Sequence, residues 1–145
     1  MKALVVDDNE SLRKLFQLFL ENMGFEAETA ADGGEAFRML QQQDYDFILS
    51  DMDMPFVNGM ELYELIEKYL PELTDRVVFA TGNPFSEAYQ DFFERITSPV
   101  LYKPFRFVDL IQIVESQLGQ SHGIAAPLMP APIDTEYVRP ARVFN

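Results

Sequence analysis

The residues of this chain that could carry chemistry each follow directly after a short apolar run. Asp7 and Asp8 follow the first run, Asp51 the second, Thr81 the third and Lys103 the fourth. Such runs, rich in Val, Ile, Leu and Phe and bounded by turn residues, are typical of strands buried on both faces of a sheet. Because ligands bind at the carboxyl ends of parallel strands, we expect these side chains to meet in one crevice.

Three carboxylates, a hydroxyl and an ammonium in one crevice suit a divalent cation and a phosphoryl group. Carboxylates that lie close together repel one another unless a cation intervenes. Mg²⁺ is the expected cation, because it prefers oxygen ligands and commonly shares its ligand shell with a phosphate. Taken singly, Asp51 could merely cap the following helix, Lys103 could be a solvated charge, and Thr81 could be an ordinary strand residue.

The composition argues against several classes of protein. The chain has 145 residues, a formal net charge of −13 and no cysteine. The acidic balance argues against nucleic-acid binding, which needs clustered Lys and Arg. The apolar stretches are too short for a membrane span or a signal peptide. Without cysteine, disulfides and thiolate metal sites are excluded. We therefore expect a cytoplasmic protein that contacts neither nucleic acid nor membrane.

Strand and helix patterns alternate from residue 2 to about 118. We predict strands near 2–6, 25–30, 46–50, 76–80 and 99–102, and helices near 10–22, 32–42, 58–70, 84–95 and 106–118. Capping signals start the second and third helices at Asp32 and Asn58, and Pro84 is expected as the first residue of the fourth helix. Five βα units predict an α/β fold with a doubly wound five-stranded parallel sheet, the flavodoxin-like (βα)5 three-layer sandwich.

Helical spacing predicts which side chains face the sheet. The inward residues are expected to include Leu12, Leu15, Phe16, Phe19, Ala36, Met39, Leu40, Leu62, Leu65, Ile66, Tyr69, Phe107, Leu110, Ile111 and Val114. Tyr102 is also expected in the core, whereas Leu18 falls outside the inward arc. The fourth helix has more aromatic residues than one face can bury, which predicts a hydrophobic surface formed by Phe85, Tyr89, Phe92 and Phe93.

From Gly119 the composition changes to a Pro- and Ala-rich segment without periodicity. Residues 1–118 are therefore predicted to form one domain and residues 119–145 a tail or linker. A flexible extension is the simplest expectation. Apolar residues such as Ile133 and Tyr137 would also allow the tail to lie on the domain.

Five short motifs resemble those of the response-regulator receiver domain of two-component signalling. They occur in the family's order and spacing over about residues 2–118, and they are Val5-Val6-Asp7-Asp8, Ser50-Asp51-Met52-Asp53-Met54-Pro55, Asn58-Gly59, Ala80-Thr81-Gly82 and Tyr102-Lys103-Pro104-Phe105. The resemblance implies that Asp51 accepts a phosphoryl group from a phosphohistidine of a sensor kinase or phosphotransfer protein. Thr81 and Lys103 would contact the phosphoryl oxygens, and a cis peptide would precede Pro104.

The same resemblance implies the metal ligands and the partners. Asp8, Asp51 and the backbone carbonyl of Asp53 would bind Mg²⁺, and Asp7 would reach it through water. The protein would be a signalling phosphoacceptor rather than an enzyme, limited to self-phosphorylation from a donor and auto-dephosphorylation. Phosphodonor proteins would dock partly on the first helix, where Leu18 is a candidate contact. The face built from residues 85–118 would bind an output protein and possible second copies of the chain.

One position departs from the family pattern, and several alternatives stay open. Three residues before Lys103, where the family usually has Tyr or Phe, this chain has Val100, which has no ring to report the phosphorylation state. The chain could be a receiver fragment of a larger transcription regulator or hybrid histidine kinase, although no basic DNA-binding module follows residue 118. More distant alternatives are a haloacid-dehalogenase-type phosphatase, in which the order of the acidic motifs differs, and an interaction module that works without phosphorylation.

Overall fold

A computed structural model describes residues 1–83, 85–119 and 138–139. The strands are β1 (Lys2–Val6), β2 (Glu26–Ala30), β3 (Phe47–Asp51), β4 (Val77–Thr81), β5 (Val100–Tyr102) and β6 (Val138–Arg139). The helices are α1 (Glu10–Asn22), α2 (Gly33–Gln42), α3 (Gly59–Tyr69), α4 (Glu87–Arg95) and α5 (Phe107–Val114). A 3₁₀ segment (Pro71–Arg76) follows α3, and a π-helical turn (Glu115–Gly119) extends α5.

The six strands form one sheet in the order β2-β1-β3-β4-β5-β6. The first five are parallel, which confirms the predicted five-stranded parallel sheet. The sixth strand was not predicted. It pairs antiparallel with β5, with Val100 opposite Arg139 and Leu101 opposite Val138. Residues 120–137 and 140–145 of the predicted tail lie outside the described residues, so the flexibility of the tail and the domain boundary at residue 118 stay predictions.

Helices cover both faces of the sheet, because successive strand residues point to opposite sides. Leu4 and Val6 of β1 pack into a cluster with α2, α3 and α4. Ala3 and Val5 pack into a second cluster with α1 and α5. Both faces of the sheet are therefore buried beneath helices, as in a doubly wound fold. In the described part of the chain, no helix combines the length and apolar character needed to cross a bilayer.

Three helices begin at capping residues, two of which, Asp32 and Asn58, were predicted. Asn9, Asp32 and Asn58 each accept a backbone N–H of the first turn of α1, α2 and α3. The predicted start of the fourth helix is wrong, because α4 begins at Glu87 rather than at residue 84. The backbone N–H of Ser86 donates to the carbonyl of Asn83, so this segment forms a turn first. Pro84 itself lies outside the described residues.

Two side chains predicted to face the sheet lie at the surface instead. Leu15 is 40% exposed and Tyr69 is 56% exposed. The buried stripe of α1 runs through Phe16 and Leu20, so Leu15 lies about 100° away from it. In α3 the corresponding aromatic residue is Tyr63, which is buried against other rings of the core. Leu18 is exposed, as predicted.

The aromatic residues of α4 are more buried than the sequence suggests. Phe92 and Phe93 belong to the core and pack against Phe79 of β4, so assigning them to a surface was wrong. Phe85 is 78% exposed, and Tyr89 is half-buried. Tyr102, predicted in the core, is also only half-buried. The face around α4 therefore presents one fully exposed ring rather than a continuous aromatic surface.

The loop between β3 and α3 contains a strained residue. Phe56 has a φ of 67° and is 91% exposed. A side chain with a Cβ adopts this left-handed region at a cost of roughly 1–2 kcal/mol. The loop that contains Phe56 begins directly after Asp51.

Candidate functional site

Three carboxylates converge at the carboxyl ends of β1 and β3. These strands are adjacent, and Val6 pairs with Ser50, so the acids that follow them lie side by side. One carboxylate oxygen from each of Asp7, Asp8 and Asp51 lies within 4.8 Å of the others. Asp7 and Asp51 are buried, whereas Asp8 is exposed. The predicted convergence of these acids is therefore what the structure shows.

Lys103 reaches the same cluster from the end of β5. Its Nζ lies 3.1 Å from Asp7 Oδ2 and 3.3 Å from Asp51 Oδ1. Its backbone N–H donates to the carbonyl of Thr81 over 2.7 Å, which ties the two strand ends together. The peptide between Lys103 and Pro104 is cis, as the resemblance implies. The ammonium offsets only part of the charge of three carboxylates, which leaves a site that favours a further cation.

Thr81 is the last residue of β4, which lies next to β3, where Asp51 pairs with Ala80. The side chain of Thr81 is buried, and its Oγ1 accepts the backbone N–H of Asn83 over 3.0 Å. That bond uses a lone pair of the hydroxyl and leaves the hydroxyl hydrogen for another acceptor. A Cβ added to Gly82 would meet nothing within 4 Å, so the crevice is open on this side.

The electrostatics of Asp51 follow from its position. Burial raises its pKa to about 6, the Lys103 ammonium opposes this shift, and the Asp7 carboxylate adds to it. The group is 7% exposed. At neutral pH most of the Asp51 population is ionised, and its charge is poorly solvated. The charged form of such a carboxylate is stabilised by any cation or hydrogen-bond donor that enters the crevice.

Several residues that support the carboxylates were not predicted from the sequence. Asn9 donates its backbone N–H to Asp7 Oδ1 over 2.9 Å, and Arg13 Nη1 donates to the Asp7 carbonyl over 2.8 Å. Asn9 could have been found as a helix cap that follows a strand. Gly59 starts α3 directly against β3, and a Cβ there would collide with the carbonyl oxygen of Asp51. These contacts hold the carboxylates where they are.

Asp53, implied as a metal ligand through its carbonyl, lies in the exposed loop after β3. Its backbone amide lowers the pKa of Asp51 by hydrogen bonding. Its carboxylate accepts a hydrogen bond from Tyr89 Oη over 2.7 Å. Nothing in the sequence pointed to this pair, because the two residues are 36 positions apart and belong to different elements.

Two further features surround the site. Val100, at the position where the family usually has an aromatic residue, is fully buried in β5. On the other side of the site lies an apolar groove with a volume of about 330 Å³. The groove is lined by Leu12, Leu15, Phe16, Lys103, Pro104 and Phe105. The exposure of Leu15 that the helix pattern did not predict is explained by its place in this groove.

Comparisons with known proteins agree with this architecture. Residues 3–115 match the family model described as the response regulator receiver domain. The chain is 29% identical over 123 residues to the response regulator receiver protein CpdR of Brucella abortus, covering 81% of this chain and 96% of CpdR. It is 42% identical over 65 residues to the CAI-1 autoinducer sensor kinase/phosphatase CqsS of Vibrio cholerae, covering 45% of this chain.

Solved structures show the same fold. The chemotaxis protein CheY4 of Vibrio cholerae superimposes with a TM-score of 0.71 at 30% identity, covering 81% of this chain and 98% of CheY4. The receiver domain of the sensor histidine kinase PA1611 of Pseudomonas aeruginosa, solved with magnesium in its active-site cleft, has a TM-score of 0.69 at 25% identity, with 81% and 97% covered.

The chain therefore belongs to the response regulator receiver domain family. It spans only 10% of the length of CqsS, although it spans nearly all of CpdR. The family match does not favour the phosphatase alternative.

Proposed function

We propose that Asp51 is the phosphoacceptor of this receiver domain. The observation that carries the proposal is the convergence of three carboxylates on one ammonium, with Lys103 Nζ 3.3 Å from Asp51 and 3.1 Å from Asp7. We assign Asp51 as the nucleophile because its place in the family's motif implies that role and because its carboxylate lies 3.3 Å from Lys103 Nζ. Its pKa of about 6 leaves it ionised, and hence nucleophilic, at neutral pH.

The proposed reaction is the transfer of a phosphoryl group from a histidine of the donor protein to Asp51. A carboxylate oxygen of Asp51 forms a bond to phosphorus while the bond from phosphorus to the imidazole nitrogen of a phosphohistidine breaks, and the imidazole keeps the electron pair. Lys103 donates to a phosphoryl oxygen, and Thr81 donates its hydroxyl hydrogen to another. The product is an acyl phosphate. Water later attacks it and releases phosphate, so the protein returns to its starting state without turning over other substrates.

The donor set fits Mg²⁺. Carboxylate oxygens within 4.8 Å of one another and an excess of negative charge are what a small hard cation requires. Asp8, Asp51 and the carbonyl of Asp53 would hold the ion, with Asp7 acting through water. When bound, Mg²⁺ offsets charge on the transferring group. The magnesium described for the PA1611 receiver domain supports this assignment by relationship.

The partners follow from the family. Receiver domains act with histidine kinases or phosphotransfer proteins and with output domains, and we propose the same for this chain. The groove between α1 and the loop after β5, which includes the exposed Leu15, is the proposed contact for the phosphodonor, together with the exposed Leu18 elsewhere on α1. The output face is proposed on residues 85–118, where Phe85 is the exposed ring. Use of this face for a homodimer, a cytoplasmic location and membership of a longer regulator or kinase stay predictions.

The test is intact-mass analysis after incubation with acetyl phosphate and Mg²⁺. Wild type should gain one phosphoryl group, and Asp51→Asn should gain none. A gain that survives the substitution would place the acceptor elsewhere. Release of many equivalents of phosphate from a phosphomonoester would indicate a phosphatase. No gain with either protein would favour an interaction module that works without phosphorylation.

A further inference from the structure

Tyr89 connects helix α4 to the loop that follows the proposed phosphoacceptor. Its hydroxyl donates to Asp53 Oδ1 over 2.7 Å. The donor belongs to α4 and the acceptor lies two residues after Asp51. This bond therefore joins the proposed output face to the edge of the proposed metal site.

The ring of Tyr89 is well placed to hold the hydroxyl still. It is half-buried against the core cluster and lies edge-on to Phe93, with 6.2 Å between ring centroids. Phe93 is itself buried. A tyrosine hydroxyl carries its proton at neutral pH, so Tyr89 is the donor in this bond.

Asp53 is in turn linked to the acceptor. Its backbone amide acts on the Asp51 carboxylate by hydrogen bonding. Its carboxylate lies in an exposed loop, and the bond to Tyr89 holds that carboxylate on the α4 side. The bond therefore restricts the rotation of the residue whose backbone hydrogen-bonds to Asp51.

We propose that Tyr89 is a positioning residue that holds Asp53 in the arrangement in which its backbone can serve the Mg²⁺ site. The inference rests on the proposed function, because it takes Mg²⁺ as the ion bound there. Without the hydroxyl, the ion must order Asp53 at the moment of binding, and that ordering weakens affinity. Loss of one solvent-exposed hydrogen bond, whose net contribution is that of an ordinary one, predicts a rise of about three- to ten-fold in the Kd for Mg²⁺.

The test is an Mg²⁺ titration of the full chain without any phosphodonor. Binding is monitored through the NMR signals of the backbone amides. Tyr89→Phe, which removes the donor of the hydrogen bond, should raise the Kd about three- to ten-fold. Asp53→Ala, which removes the acceptor, should also raise the Kd. Because Tyr89 acts through the Asp53 side chain, the double variant should bind like Asp53→Ala alone. Tyr69→Phe, which removes an exposed hydroxyl on α3, is the matched control and should bind like wild type.

A second readout separates positioning from general stability. In wild type the amide of Tyr89 should shift as Mg²⁺ binds, because the hydrogen bond couples α4 to Asp53, which lies next to the ion. In Tyr89→Phe that shift should disappear, while the amides next to Asp51 still respond. An unchanged Kd in Tyr89→Phe, or an equal loss of affinity in the Asp53→Ala background, would overturn the inference and leave the phosphoacceptor proposal intact. Failure of wild type to bind Mg²⁺ would overturn both.

Discussion

Asp51→Asn should stabilise the metal-free protein at neutral pH. In the folded protein the pKa of Asp51 is about 6, mainly because burial disfavours the charged carboxylate, whereas its ordinary value is near 3.8. A difference of about two pKa units corresponds to about 3 kcal/mol at pH 7. Asparagine keeps the shape of the side chain and removes the charge. The free energy of unfolding should therefore rise by up to about 3 kcal/mol.

The sign of the pH dependence follows from where the proton is held. Between pH 3.8 and about 6 the folded protein keeps a proton on Asp51 that the unfolded chain has released. The stability contributed by this group therefore falls as the pH rises through that window, and the full penalty is present above it. The advantage of Asp51→Asn should shrink from about 3 kcal/mol at pH 7 to less than about 1 kcal/mol near pH 4.

The assay is urea and thermal unfolding of both proteins in EDTA at several pH values. At pH 7 the melting temperature of Asp51→Asn should lie roughly 5–10 °C above that of wild type. Asp91→Asn, which removes an exposed charge on α4, is the control and should change stability by less than about 0.5 kcal/mol. Mg²⁺ should reduce the difference in melting temperature between the two proteins, because it binds wild type more tightly than Asp51→Asn. Equal or lower stability of Asp51→Asn at pH 7, or a gap that does not depend on pH, would refute the reasoning.

Three further predictions, tested with five substitutions, concern how the domain is built, and each is measured by urea unfolding. Gly59→Ala should destabilise by roughly 1–3 kcal/mol because the new Cβ meets the backbone of β3, whereas Gly82→Ala, in open space, should be near neutral. Phe92→Ala should cost roughly 3–5 kcal/mol as a core truncation, and Phe85→Ala less than about 1 kcal/mol; equal costs would contradict the burial of α4. Phe56→Asn should stabilise by about 0.5–1 kcal/mol, because asparagine tolerates a positive φ better; a loss of stability would show that the exposed ring has a packing role.

The site residues were predictable because each obeys a rule that acts within one short segment. Asp7, Asp51 and Lys103 all follow buried apolar runs, and the carboxyl ends of parallel strands lie on one edge of the sheet. Once the strands were assigned, the order of the strands in the chain and the spacing of the motifs determined which residues line the crevice. The five parallel strands and the alternating helices were predictable for the same reason.

Burial on the helices was less predictable. Helical periodicity places Leu15 next to the buried stripe of α1, but whether it is covered depends on where the loop after β5 passes. The burial of the aromatic residues of α4 also depends on another element, since Phe92 and Phe93 pack against the ring of Phe79 in β4. The pairing of β6 with β5 is another contact that no local pattern announces.

The amino-acid sequence alone thus specifies the family, the fold and the acids, threonine and lysine of the crevice, because strand ends and capping motifs are local signals. Only the folded chain brings Tyr89 to within 2.7 Å of Asp53, 36 positions away. It also sets the pKa of Asp51, which depends on how deeply the carboxylate is buried and on which charges surround it. Distances between residues far apart in the chain are decided by packing, and no single segment contains that information.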